Sequence, residues 1–259
     1  MTMDKHHRDG VSFTAGIWPI DPARTTLLFI HGSGETALLW ENQVAALAAD
    51  YNTIALDLPG HGDSAGPGLD TIAGYAAAVM AFVDRIGLTN LVACGLSIGG
   101  AIVQQMLLDY TDRLRAGILV STGARLRVMP QIFETIEKDY QEFVALSRLF
   151  AASPKTPAAV LEPLLQATAQ CNPQVTAGDF KACDRFDVMA RLGEIARPVL
   201  IISADDDQLT PPKYSDFLEK NISGAVRCRI ADAGHVVPVE QPEAVNRAIA
   251  GFLKSIAAG

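Results

Sequence analysis

Four stretches of this chain carry side chains whose types and spacing suit attack on a carbonyl carbon. In Gly95-Leu96-Ser97-Ile98-Gly99 a serine has glycine two residues away on either side. A serine there, on a tight turn between strand and helix, projects its hydroxyl above a sheet, and the glycines remove side chains that would collide with neighbouring backbone. Serine is a weak nucleophile at neutral pH and needs an adjacent base. The chain has five histidines, and Ala233-Gly234-His235 is the best source of that base by elimination. His6 and His7 fall in an N-terminus expected to be floppy, and His61 in a turn dense with glycine. His31, directly after the apolar run Leu27 to Ile30, reads as a structural histidine bonding within its own loop. A general base of this kind needs a pKa near neutrality, which imidazole supplies.

The imidazole in turn needs a carboxylate that holds its tautomer. Ser203-Ala-Asp-Asp-Asp-Gln-Leu-Thr-Pro-Pro212 offers Asp205, Asp206 and Asp207, and chemistry alone leaves the choice open, because Asp205 and Asp206 equally suit a turn or helix cap. The fourth stretch is His31-Gly32-Ser33-Gly34. Its backbone can turn an N–H toward Ser97, and the residue after the nucleophile supplies a second donor, so the amides of Ser33 and Ile98 are the expected oxyanion hole.

These groups must be held by a scaffold, and the chain shows one. Strand-like runs at Val11–Ile17, Thr26–Ile30, Thr53–Leu56, Leu91–Cys94, Ala116–Val120, Val199–Ser203 and Val226–Ile230 alternate with helical patterns at Ala37–Asp50, Ile72–Ile86, Ile98–Asp112, Lys213–Asn221 and Glu243–Ile256. Several runs are almost wholly apolar, as strands buried on both faces of a parallel sheet must be. The order predicts an α/β fold with a mostly parallel sheet flanked by helices, its ligand sites at the carboxyl ends of the strands. Between about Gly123 and Ala196 the strands stop and helix-like pieces, punctuated by prolines, follow one another. We therefore expect a core of residues 1–123 and 196–259 interrupted by a helical insertion over 124–195.

The remaining arithmetic narrows the setting. The chain of 259 residues is 49% hydrophobic with a net charge of −8, and its 21 basic residues are scattered. No basic patch for nucleic acid or an anionic membrane surface is expected. The polar segment Met1 to Arg8 leads into no apolar run, so a secretory signal is not expected, and Leu91–Leu108 is interrupted by Ser97, Gln104 and Gln105. Four separated cysteines without C-x-x-C spacing suit free thiols in a reducing cytoplasm, with no metal and no cofactor.

The chain order Ser97, Asp near 207, His235, together with Phe29-Ile30-His31-Gly32, Trp40 downstream, and Asp57-Leu58-Pro59-Gly60-His61-Gly62-Asp63-Ser64, resembles the α/β-hydrolase family along nearly its whole length. The last run looks like that family's D-x-x-G-x-G-x-S loop. The family's acid commonly lies in G-x-x-D-x-x-x-P, and this resemblance selects Asp207, four residues before Pro211, with Ala204 departing from the usual glycine. It also implies that the helical insertion is a cap over the active site. Met129, Phe133, Phe143, Leu146 and Phe150 are candidates to line a substrate pocket beneath it, and Arg125 and Arg127 could meet a substrate carboxylate.

Dehalogenases and epoxide hydrolases of this fold place aspartate where this chain has Ser97, so the expected activity is that of a serine esterase or lactonase acting on a small molecule through an acyl-enzyme. The alternatives are a carbon–carbon bond hydrolase of meta-cleavage-type products, a cofactor-free perhydrolase, and a ligand receptor on the same fold.

Overall fold

The computed structural model describes residues 4–257. A single eight-stranded sheet runs through it in the order β1-β2-β4-β3-β5-β6-β7-β8. The strands are β1 (Asp4–Arg8), β2 (Val11–Ala15), β3 (Thr26–Ile30), β4 (Asn52–Leu56), β5 (Leu91–Leu96), β6 (Leu114–Val120), β7 (Val199–Ala204) and β8 (Val226–Ile230). From β4 to β8 all neighbours are parallel; β1 and β2 join antiparallel at one edge.

Helices α1 (Glu41–Leu47), α2 (Ile72–Ile86), α3 (Ile98–Asp109), α8 (Pro212–Asn221), α9 (Val237–Glu240) and α10 (Pro242–Ala257) accompany the sheet, while α4 (Pro130–Lys138), α5 (Tyr140–Ala151), α6 (Ala158–Gln170) and α7 (Pro173–Arg185) fill the interval between β6 and β7. This interval is a helical insertion, termed the cap.

The pleat sorts each central strand into two cores. Leu28 and Ile30 of β3 face a cluster with Val79, Phe82 and Ile102 from α2 and α3, whereas Leu27 and Phe29 face Val44 and Ile249 from α1 and α10. Burial on both faces explains why β3 and β5 read as continuous apolar runs. The cap has a smaller cluster of its own around Ile136, Phe143 and Val144.

Three expectations are corrected. The segment holding His6 and His7 is not a floppy end but strand β1, paired with β2 from Asp4 opposite Ala15 to Arg8 opposite Val11. His6 also stacks on Phe13 with ring centroids 5.3 Å apart. Its sequence, Asp-Lys-His-His-Arg, lacks apolar alternation because this edge strand is mostly exposed, and charged side chains on an edge also discourage pairing with other chains. The helix expected from Ala37 begins as a 3-10 turn, Ala37–Trp40, before α1 takes over, and the strand expected to run to Ile17 ends at Ala15.

Candidate active site

Strand β5 runs straight into α3, and Ser97 stands at the junction with φ 56° and ψ −116°. A non-glycine residue in this region costs about 1–3 kcal/mol and persists only where its surroundings hold it. Those surroundings are visible: Ser97 N–H donates to Val120 O at 3.0 Å, and its carbonyl accepts from Ala101 N–H at 3.1 Å and from Thr122 Oγ1 at 2.8 Å. The turn is possible only because backbone passes close by. A Cβ on Gly95 would lie 2.1 Å from Gly99 O, and one on Gly99 would lie 2.3 Å from Ile30 O and 2.7 Å from His31 O. The same contact seats the loop after β3 against the head of α3, whose first amides, that of Ile98 among them, lack intrahelical acceptors.

Beyond β7, Asp207 reaches His235 from the loop before α8. His235 Nδ1 lies 3.0 Å from Asp207 Oδ2 and 3.1 Å from Oδ1. Leu209 N–H and Thr210 N–H, each at 2.9 Å, donate to Oδ1, while Thr210 Oγ1 donates to Oδ2 at 2.8 Å. Burial works against charge on both partners, yet their mutual attraction and hydrogen bonds outweigh it: the Asp207 carboxyl is held below its ordinary value and the His235 imidazole raised above its own. The neighbouring aspartates do other things. Asp205 pairs with Arg229 at the surface, and Asp206 accepts from Ser153 Oγ of the cap at 2.6 Å. No hydrogen bond joins Ser97 Oγ to the His235 ring among the described residues, and such contacts commonly tighten only when substrate is bound.

The loop after β3 has its amides sorted by two carboxylates. Gly32 N–H donates to Glu35 Oε2 at 2.8 Å and Gly34 N–H to Asp179 Oδ2 at 2.9 Å, while Glu35 N–H closes the turn onto Gly32 O. Among the described residues, Ser33 N–H is left without a partner. His31 beneath is neutral: its Nε2 accepts from Leu58 N–H at 3.0 Å, its Nδ1 faces Gly32 O at 2.8 Å, and burial drives its pKa down to about 3. His61 is the opposite case. Both its nitrogens face oxygens, Pro59 O at 3.2 Å and Asp179 Oδ2 at 2.8 Å, so the imidazolium satisfies both. Burial lowers its pKa, but Asp179 more than compensates and the net shift is upward.

Glu35 and Asp179 are absent from the residues singled out in the sequence. Burial pushes the Glu35 carboxyl up to about 7, against the opposing pull of Gly32 N–H and His235. A signal for Asp179 exists: it is the one acid on the α7 face Val175, Thr176, Ala182 and Cys183, all of them buried. The cap residues proposed for the pocket lie in different settings. Met129, Phe150 and Leu146 are exposed, Phe133 is partly exposed, and Phe143 packs inside the cap against Tyr140 and Phe180. Arg125 lies 3.8 Å from the Asp187 carboxylate, and Arg127 donates to Asp184 O at 2.7 Å. Among the described residues, no group of three or more His, Cys, Asp or Glu side chains is placed to hold a metal ion, and no helix is long and apolar enough to cross a membrane.

The sequence model of the alpha/beta hydrolase family matches residues 27–248. The chain is similar to 3-oxoadipate enol-lactonase 2 of Acinetobacter baylyi, 26% identical with 89% of each chain covered. It is also similar to pimeloyl-[acyl-carrier protein] methyl ester esterase of Pectobacterium carotovorum, 24% identical over 92% of this chain and 98% of the relative. The solved structure of a thermophilic esterase, 31% identical, superimposes with a TM-score of 0.83 over 98% of both chains.

Proposed function

The chain belongs to the alpha/beta hydrolase family, and from that premise we propose that it is a serine hydrolase cleaving a small-molecule carboxylic ester or lactone through an acyl-enzyme. In this reading Ser97 Oγ attacks the carbonyl carbon while His235 Nε2 takes its proton. Asp207 keeps the other ring proton on Nδ1 and stabilises the imidazolium as it forms. The developing oxyanion sits between the amides of Ser33 and Ile98, each of which contributes on the order of 10² to 10³ in rate. Collapse of the tetrahedral intermediate breaks the C–O bond, and His235 hands its proton to the departing alkoxide. Water then attacks the acyl-serine with His235 again as base, releasing the acid and restoring Ser97.

The observation that carries the reading is the strained Ser97 turn, a local cost without structural benefit unless the hydroxyl is wanted there. Relatives named as an enol-lactonase and a methyl ester esterase support C–O rather than C–C cleavage. So does charge: Arg125 and Arg127, which a dienoate carboxylate would need, lie 3.8 and 4.0 Å from the carboxylates of Asp187 and Asp184, and Glu35 as a carboxylate adds negative charge felt at His235. Substrates without a carboxylate beside the acyl group are therefore expected to turn over fastest. A panel of short and long acyl esters, lactones and a vinylogous diketone, assayed with wild type and Ser97→Ala, tests this. Preference for the diketone, or turnover by Ser97→Ala, would overturn it.

A further inference from the structure

The cap packs on the oxyanion loop chiefly through one face of α7, with Thr168 of α6 also close to Gly34. Thr176, Asp179 and Cys183 stand at i, i+3 and i+7 on α7, a spacing that puts them on one side. Gly34, at φ 67°, is packed so closely on Thr176 that a Cβ there would lie 3.0 Å from its Oγ1. Cys183 Sγ is 3.9 Å from Ser33 Oγ, on the residue assigned as oxyanion donor. Between them the fully buried Asp179 carboxylate accepts from Gly34 N–H at 2.9 Å, His61 Nε2 at 2.8 Å and Tyr75 OH at 2.5 Å. The last two donors come from the core, so the carboxylate is held from one side and grips the loop on the other.

We infer that Asp179, a cap residue, is a positioning residue for the oxyanion hole: by holding Gly34 N–H it fixes the peptide orientation that leaves Ser33 N–H facing the nucleophile. The inference rests on the proposed role of Ser33. Two loop amides flank that of Ser33, and each is claimed by a carboxylate, Glu35 for Gly32 and Asp179 for Gly34. Without the second grip, Gly34 N–H is free to turn inward and compete, and the Ser33–Gly34 peptide loses its fixed plane. The cap thereby shares in transition-state stabilisation as well as covering the site. Loss of the grip should lower kcat and leave KM nearly unchanged, because the oxyanion forms only in the transition state.

The test compares wild type, Asp179→Asn, Asp179→Ala and Ser97→Ala on one soluble ester, with inhibition by a trifluoromethyl ketone of matching acyl chain, which forms an oxyanion adduct with the serine. Removing one donor outright costs about 10² to 10³, so displacing it should lower kcat of Asp179→Ala about 10- to 100-fold with KM within about threefold. Asp179→Asn keeps an acceptor but gives up a charge-assisted bond and should lie between. The ketone's Ki should weaken in step with kcat/KM in both variants. A folded Asp179→Ala with unchanged kcat, or a loss confined to KM, overturns the inference. If the alanine variant does not fold, the asparagine variant decides alone: kcat within twofold of wild type with an unmoved Ki overturns it. Inactive Ser97→Ala alongside wild-type-like Asp179 variants refutes only this inference, whereas active Ser97→Ala refutes the serine mechanism and this inference with it.

Discussion

Replacing Asp207 by asparagine should disable the base while leaving the fold nearly unchanged, and the structure fixes how. Oδ1 of Asp207 is occupied by two backbone donors, Leu209 N–H and Thr210 N–H, each at 2.9 Å. An asparagine must keep its carbonyl oxygen there, because an NH2 group facing two N–H groups would leave three donors without an acceptor. Its amide nitrogen then takes the place of Oδ2, 3.0 Å from His235 Nδ1, while the oxygen at the Oδ1 position, 3.1 Å from Nδ1, is already occupied by the two amides. A donor at that position makes Nδ1 an acceptor and moves the ring proton to Nε2, the nitrogen that must receive the proton of Ser97. In a serine triad this tautomer reversal typically lowers kcat by about 10⁴, which at about 1.36 kcal/mol per decade is roughly 5.4 kcal/mol of transition-state stabilisation. Initial rates on a saturating ester, with thermal unfolding recorded alongside, measure both parts. A folded Asp207→Asn enzyme retaining kcat within tenfold of wild type would refute the assignment of Asp207 and the tautomer argument together.

Further expectations concern pH, strain and packing. Because Asp207 raises the His235 pKa above 6.5, the acid limb of kcat/KM should lie above pH 6.5, with activity lost as pH falls through the raised value; a limb near pH 5 in a pH–rate profile would contradict this. Glu35 as a carboxylate also favours the His235 imidazolium, so Glu35→Gln, which keeps an acceptor for Gly32 N–H, should move that limb to lower pH; an upward or absent shift counts against the coupling. The raised His61 contributes stability that is fully present below about pH 6.5, its unfolded value, and lost as pH rises through its folded value, so His61→Gln should flatten the decline of Tm in mildly alkaline buffer. Ser97→Gly removes the backbone strain that Ser97→Ala retains, and urea unfolding should find it the more stable of the two by about 1 kcal/mol, with both inactive.

What the sequence discloses and conceals follows from the range of each interaction. Strands such as Leu27–Ile30 and Leu91–Leu96 are legible because burial on both faces demands unbroken apolar residues, and the Ser97 turn because close backbone requires its glycines, Gly99 behind Gly95 and Ile30 and His31 behind Gly99. Strand β1 is not, since an exposed edge places no apolar demand on its residues. Among Asp205, Asp206 and Asp207 the side chains are identical, so the spacing to Pro211 that resembles the family's motif is what singles out Asp207, while the path of the chain after β7 turns its carboxylate toward His235 and the others toward Arg229 and Ser153. The partnership of Asp179 with Gly34, His61 and Tyr75 spans more than a hundred residues in each case, from the cap to three separate core segments. No local pattern encodes it; an acid on an otherwise buried face of α7 is the single trace it leaves.

The central claim is that Ser97 is the nucleophile, and the most direct measurement is covalent capture. The folded, hydrolysing protein is treated with an alkyl fluorophosphonate, weighed intact and mapped by peptide fragmentation. One adduct per chain is expected, on Ser97, with residual activity falling in proportion to its occupancy. An adduct on another residue, or continued hydrolysis by protein fully modified at Ser97, would contradict it.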